Sequence, residues 1–210
     1  MSAAAPELRP SAWREQTASL GMWVFLATEL MFFGAIFMGY LYLRTSHPEA
    51  VSEAARHTHE WIGTINTAIL LTSSFSMALA VRFSQLAKRE TVQRLLWVTA
   101  ALGAAFLALK FVEYTMEWHE GLVPGLHFTI AVNARITQLF FFLYFVATLV
   151  HALHLTIGVA TVLWMSWRLR KPPFPDGRAD DVEVLGLYWH FVDAVWIFLY
   201  PLFYLVSLQS

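Results

Sequence analysis

His190 and Asp193 lie three residues apart in the run Tyr188-Trp189-His190-Phe191-Val192-Asp193-Ala194-Val195-Trp196-Ile197-Phe198-Leu199-Tyr200. A histidine and a carboxyl one helical turn apart can bond each other, bond a neighbouring helix, or serve a catalytic group. No serine sits in a G-x-S-x-G nucleophile elbow, so a Ser-His-Asp hydrolase is not indicated. The surrounding residues are apolar over a length that crosses a bilayer. Water-free hydrocarbon holds such groups only where a partner satisfies them, so both are expected to face protein rather than lipid.

Three further groups of ionisable residues share this setting. Glu29 is the lone formal charge in Trp23-Val24-Phe25-Leu26-Ala27-Thr28-Glu29-Leu30-Met31-Phe32-Phe33. A carboxyl in hydrocarbon with no cation beside it is expected to be neutral and to donate a hydrogen bond to a neighbour or a lipid. It is read either as a proton-handling or lipid-contacting acid, or as a neutral acid pinning two helices together. His151 and His154, at i and i+3, share a helix face and could begin a metal site. Their sequence neighbours add no third ligand, which favours hydrogen-bonded packing histidines. Lys110 and Glu113, also at i and i+3, read as an ion pair whose lysine snorkels to the interface. No residue is assigned to catalysis or to a metal.

The elements that position these residues are five apolar stretches, at about 20–43, 62–81, 95–115, 136–167 and 184–208. Each has the roughly 20 residues that a transmembrane helix needs. None alternates as a barrel strand would, and helices satisfy their own backbone in lipid. The expected fold is an all-α membrane protein, a five-transmembrane-helix bundle formed by residues 18–210 as a single domain. The fourth stretch is longer than a span needs and is expected to tilt or project. Residues 1–17 lack the apolar core of a signal peptide and read as a mobile tail.

Composition agrees with a membrane setting. The chain is 58% hydrophobic and 14% charged, against roughly 45–50% and about 25% in soluble domains. A net charge of −1 leaves no basic stripe for nucleic acid. The absence of cysteine excludes disulfides, thiolate metal sites and C-x-x-C-H haem attachment. Of the 14 Lys and Arg, ten fall in the tail and in the second-to-third and fourth-to-fifth loops. Three fall on the other side (Arg44, Arg56, Arg135), and Lys110 lies within a span. The positive-inside rule then puts the N-terminus in the cytoplasm and the C-terminus on the outer, periplasmic side. The Pro-rich segment 170–177 reads as an extended connection and Trp118–Arg135 as an outer loop. Trp61, Trp118, Trp164, Trp167 and Tyr204 fall near span ends and read as interfacial anchors. The small residues of Thr72-Ser73-Ser74-Phe75-Ser76 permit close helix approach.

Taken in order, these blocks resemble subunit III of the haem–copper oxidases across all five spans. Leu20-Gly21-Met22-Trp23-Val24-Phe25-Leu26 followed by Thr28-Glu29 and Phe32-Phe33 is similar to the family's block with a membrane-embedded glutamate. Ile65-Asn66-Thr67-Ala68-Ile69-Leu70-Leu71 resembles its Asn-Thr-x-x-Leu-Leu block, and Glu113-Tyr114 its Glu-Tyr pair. His151-Ala152-Leu153-His154 resembles its His-Gly-Leu-His, with alanine in place of glycine, and the Tyr188–Tyr200 run is the most specific match.

The resemblance implies a non-catalytic subunit of a terminal oxidase in the bacterial inner membrane. Its partners would be subunits I and II and membrane phospholipids, and it would support proton uptake. Glu29 would be the proton- or lipid-associated acid, with His151, His154, His190, Asp193, Glu113 and Lys110 as polar packing groups. No cofactor is expected in this chain; haems and copper belong to the partner subunits. The family's seven-helix members have two further N-terminal helices that wall a lipid cleft, so a complete cleft is not expected here. A cytochrome c oxidase ranks ahead of a quinol oxidase. A nitric-oxide-reductase accessory protein and a stand-alone transporter stay open as other classes.

Overall fold

The computed structural model describes residues 10–56, 58–125, 134–170 and 178–205. Six helices follow one another: α1 (Pro10–Ser46), α2 (Pro48–Ala55), α3 (Glu60–Gln85), α4 (Arg89–His119), α5 (Ala134–Arg168) and α6 (Arg178–Phe203). Among the described residues there is no strand. Five helices, all but α2, are long and apolar enough to cross a membrane, so the fold is the expected five-span bundle. Residues 1–9 of the expected tail, most of the proline-rich connection, part of the outer loop and the last residues of the fifth stretch lie outside the described residues.

The helices run well past the apolar stretches that announce them. At 1.5 Å per residue, the 31 residues of α4 extend about 46 Å, against a hydrocarbon core of about 30 Å. Its buried residues Val92, Leu96, Thr99, Gly103, Phe106, Lys110, Glu113 and Glu117 recur every three or four positions. They form one stripe that faces the interior from end to end. Hydropathy alone cannot see this stripe, because both faces of a membrane helix are apolar. The short α2 was not expected. It has Pro48 at its first turn and lays Ala50, Val51, Ala54 and Ala55 against the bundle.

Helix α3 packs against α4 and α6, α4 against α5, and α5 against α6, while α1 leans on α5 and α6 from outside. Serines of α3 tie it to α4: Ser73 donates to the Thr99 carbonyl at 3.4 Å and Ser76 to that of Leu95 at 3.1 Å. On the opposite side, Trp196 Nε1 of α6 donates to Thr67 of α3 at 3.0 Å. Small residues set how closely the helices approach. The fully buried Trp189 indole lies in a slot between Gly103 and Gly158. A methyl at position 103 would stand 2.8 Å from Val159 Cγ2 and 2.9 Å from the indole.

That overlap makes a test of the packing. Gly103→Ala is expected to cost about 1–3 kcal/mol by overpacking, read as a lower thermal unfolding midpoint in detergent. Gly39→Ala, where the nearest atom would be 3.8 Å away, is expected to leave the midpoint unchanged.

Candidate functional site

The polar interior is divided into separate places, and the largest is near the end of the bundle where α4 finishes. Lys110 Nζ lies 2.9 Å from Glu113 Oε2, 3.2 Å from the Tyr144 hydroxyl and 2.9 Å from that of Tyr204. Tyr144 is the hub of this network. Its hydroxyl is also 2.9 Å from Glu113 Oε1, 2.6 Å from Glu117 Oε1 and 3.0 Å from the Tyr204 hydroxyl, and Tyr204 donates to Glu113 Oε1. Tyr114, Tyr144, Trp196 and Tyr204 each present a ring 5.0–5.6 Å from the ammonium. Cation–π attraction of this kind is strongest where water is absent. Lys110 is 2% exposed, and Glu113, Glu117, Tyr144 and Tyr204 are all at 0%.

Two expectations change here. The Lys110–Glu113 pair forms, but the lysine does not snorkel: two tyrosines and a carboxylate satisfy all three ammonium protons inside the bundle. Tyr204 is not an interfacial anchor. Its ring lies about 3 Å from where a Cβ on Gly63 would stand, and its hydroxyl closes the network. Trp61, Trp118, Trp164 and Trp167, by contrast, are exposed, as anchors require. Glu117 and Tyr144 were missed by sequence reading. The signal for Glu117 was its spacing, four residues after Glu113 on the same stripe; Tyr144 carries no mark among the aromatics of α5.

The second place joins α1 to α5. Glu29 Oε2 lies 3.2 Å from His154 Nε2, with both side chains mostly buried. His154 Nδ1 is 2.8 Å from the Val150 carbonyl. A carbonyl only accepts, so that nitrogen carries a hydrogen and Nε2 is left facing Glu29. The histidine backbone carbonyl in turn accepts from the Tyr188 hydroxyl at 2.8 Å. The acid and the histidine, separated by more than 120 positions in sequence, thus pin the outer helix to the bundle.

His151 shares the sequence motif but not the site. It is 1% exposed on the buried stripe of α5, against Phe106 and Trp196, and neither ring nitrogen has a hydrogen-bond partner. One turn apart on the helix, the two histidines serve different neighbours. In α6, His190 Nδ1 lies 2.8 Å from the Ser74 hydroxyl of α3. Asp193, 3% exposed, lies beside that serine without a well-formed hydrogen bond. His190 and Asp193 therefore form no dyad. Among the described residues no group of three or more His, Cys, Asp or Glu is placed to hold a metal.

A third feature is an apolar groove of about 450 Å³ between the first half of α1, the last half of α5 and the start of α6. Phe25, Ile157, Trp164 and Tyr188 line it, and Arg168 and Asp181 pair across its mouth at 3.5 Å.

These observations define a polytopic membrane protein whose interior polar residues bind helix to helix. Comparison with known proteins gives the family: the model for cytochrome c oxidase subunit III matches residues 12–208, and the chain belongs to that family. The cytochrome c oxidase subunit 3 of Thermostichus vulcanus is 34% identical, over 90% of this chain and 87% of that one. A quinol oxidase subunit 3 of Bacillus spizizenii is 28% identical over 95% and 93%. A protein of Aeropyrum pernix named heme-copper oxidase subunit I+III is 33% identical over 88% of this chain and 22% of its own length. Membership makes this a subunit of a larger oxidase assembly and not its catalytic subunit.

The network of Lys110 offers a direct test. Lys110→Met leaves Glu113 buried without its counter-ion and is expected to destabilise the bundle by about 3–5 kcal/mol, measured by denaturation in mixed micelles. The double variant K110M/E113L, which removes both charges, is expected to recover most of that loss.

Proposed function

We propose that this chain is the non-catalytic subunit III of a bacterial haem–copper terminal oxidase, lying in the inner membrane beside subunits I and II. The observation that carries the reading is the family match along nearly the whole chain, on a bundle whose described polar groups are engaged in helix packing. Haems and copper are held by the partner subunits, which transfer electrons to oxygen and translocate protons. Fusion of subunits I and III in the Aeropyrum pernix name supports direct contact with subunit I.

The N-terminus, with residues 1–17, lies in the cytoplasm and the C-terminus in the periplasm; the ten-to-three distribution of basic residues supports this. Residues 18–210 act as one transmembrane domain. The groove between α1, α5 and α6 takes a phospholipid: its wall is apolar, and the Arg168–Asp181 pair at its mouth puts charged groups at the cytoplasmic headgroup level. Phe25, one turn before Glu29, lines the same groove. Glu29 accordingly sits between lipid and the bundle as the proton- or lipid-associated acid. His151, His154, His190, Asp193, Glu113 and Lys110 are packing groups.

Cytochrome c is the electron donor of the complex in the first reading, in keeping with the Thermostichus vulcanus relative. The second reading, a quinol oxidase, rests on the Bacillus spizizenii relative. Mild-detergent purification of the tagged chain is expected to recover a haem–copper subunit, and oxidation of reduced cytochrome c by that complex distinguishes the two donors. Recovery of the chain alone, with transport in liposomes, would overturn the assignment.

Glu29→Gln in the assembled oxidase is expected to leave initial oxygen consumption close to wild type and to shorten the time over which turnover is sustained. A progress curve unchanged over many turnovers would reduce Glu29 to its contact with His154.

A further inference from the structure

The hydrogen-bond geometry around Tyr144 contains more acceptors than its protons can serve if both glutamates are ionised. Lys110 supplies three hydrogens, and three acceptors surround it: Glu113 Oε2, Tyr144 and Tyr204. Tyr204 donates to Glu113 Oε1. Tyr144 then has one hydroxyl proton facing two carboxyl oxygens, Glu113 Oε1 at 2.9 Å and Glu117 Oε1 at 2.6 Å. With both carboxyls ionised, one of these contacts sets oxygen against anionic oxygen with no hydrogen between them. The cluster would also hold two negative charges against one positive charge, all out of water.

We infer that Glu117 forms a proton-binding site in the bundle interior, its carboxyl carrying one proton that it donates to Tyr144. Each carboxyl contact of Tyr144 then holds a hydrogen, and only the 3.0 Å contact between the Tyr144 and Tyr204 hydroxyls, both of which donate to Glu113, is left without one. Glu117 donates to the Tyr144 oxygen, Tyr144 donates to Glu113 Oε1, and Lys110 keeps Glu113 as its counter-ion. Every short contact of Tyr144 with a carboxyl or ammonium holds one hydrogen, and the cluster is neutral.

The proton cannot rest on Glu113 instead. That would strip Lys110 of the partner it touches at 2.9 Å. It would leave the charge on Glu117, whose Oε2 is buried with no hydrogen-bond partner. A bare oxygen of a neutral acid costs far less in that position than a bare oxygen of an anion. The titratable and charged groups facing Glu117 are Lys110 and Glu113 of α4, Glu120 just past its end and Tyr144 of α5, with Tyr204 beside Glu113. Tyr114 of α4 also faces the two acids. Glu120, one turn on, is partly exposed and lies 3.5 Å from His59 Nε2. The site therefore stands one helical turn below a polar surface.

Infrared spectroscopy of the full-length protein, purified with whatever subunits accompany it, reads the proton through the carbonyl stretch of a neutral carboxylic acid. Glu117→Gln is expected to lose one such band while keeping the wild-type unfolding midpoint, because the amide N–H donates to Tyr144 as the acid did. Glu113→Gln is expected to lose the same band and to lower the midpoint, because Glu117 gives up its proton to replace the lost counter-ion. Tyr144→Phe is expected to keep the band and move it to higher frequency, since the acid has lost its acceptor. The inference is overturned if the band survives in Glu117→Gln, if Glu117→Gln destabilises the protein more than Glu113→Gln, or if Tyr144→Phe leaves the band unmoved.

Discussion

Hydrocarbon offers no water to a buried charge, and the Lys110 ammonium shows what the bundle must do in consequence. Three hydrogens need three acceptors within about 3 Å, all supplied by the protein. One acceptor comes from the same helix, at Glu113; the others come from Tyr144 on α5 and from Tyr204, just past the end of α6. Satisfying a single cation thus fixes the rotation of α4, the height of α5 against it and the position at which the chain leaves α6. Lipid tails give no hydrophobic driving force between helices, so close packing and bonds of this kind decide which faces meet. The glycine slots do the complementary work, since Trp189 and Tyr204 reach their places only where no side chain intervenes.

The same constraint explains why the interior is compartmented. Lys110 is central to one network, Glu29 and His154 to another, and Ser74 with His190 to a third. Each bridges a different pair of helices: α4 to α5, α1 to α5, and α3 to α6. Of the five spanning helices α1 packs least on the others, and most of its described large apolar side chains are exposed, among them Trp23, Leu30, Met31, Met38 and Tyr42. A helix so exposed is pinned to the bundle by the Glu29–His154 contact and by ring contacts such as Tyr40 with Phe203.

The number of spanning helices and the fold class were legible in the sequence because a bilayer imposes a length and a polarity that hydropathy measures directly. Side-chain partners were not, for a physical reason. A membrane helix is apolar on every face, so its hydrophobic pattern does not reveal which stripe turns inward. Lys110 illustrates the difficulty. Its place in the third apolar stretch was plain, yet snorkelling and burial predict the same sequence and differ only in whether acceptors converge from elsewhere. Tyr144 is one aromatic among five in the run of six residues 140–145, and only its neighbours in space distinguish it. Tyr204 had the position of an interfacial anchor and the surroundings of a core residue. His151 and His154 looked alike as a pair, and a single turn of helix separates a ring enclosed by Phe106 and Trp196 from one that meets Glu29.

Spacing carries the information that hydropathy lacks. The inward stripe of α4 continues through Lys110, Glu113 and Glu117 at steps of three and four, past the point where apolar content falls and a span would be judged to end. A polar residue that keeps the phase of a buried stripe is turned into the bundle against the facing helices, whereas one that breaks phase is turned toward the periphery. Applied to the whole bundle, the rule separates the two histidines as well: His151 stays in phase with Tyr144, Leu155 and Gly158, and His154 steps out of it toward α1. Phase therefore distinguishes a side chain enclosed in the interior from one that fastens the periphery, and α5 carries one of each.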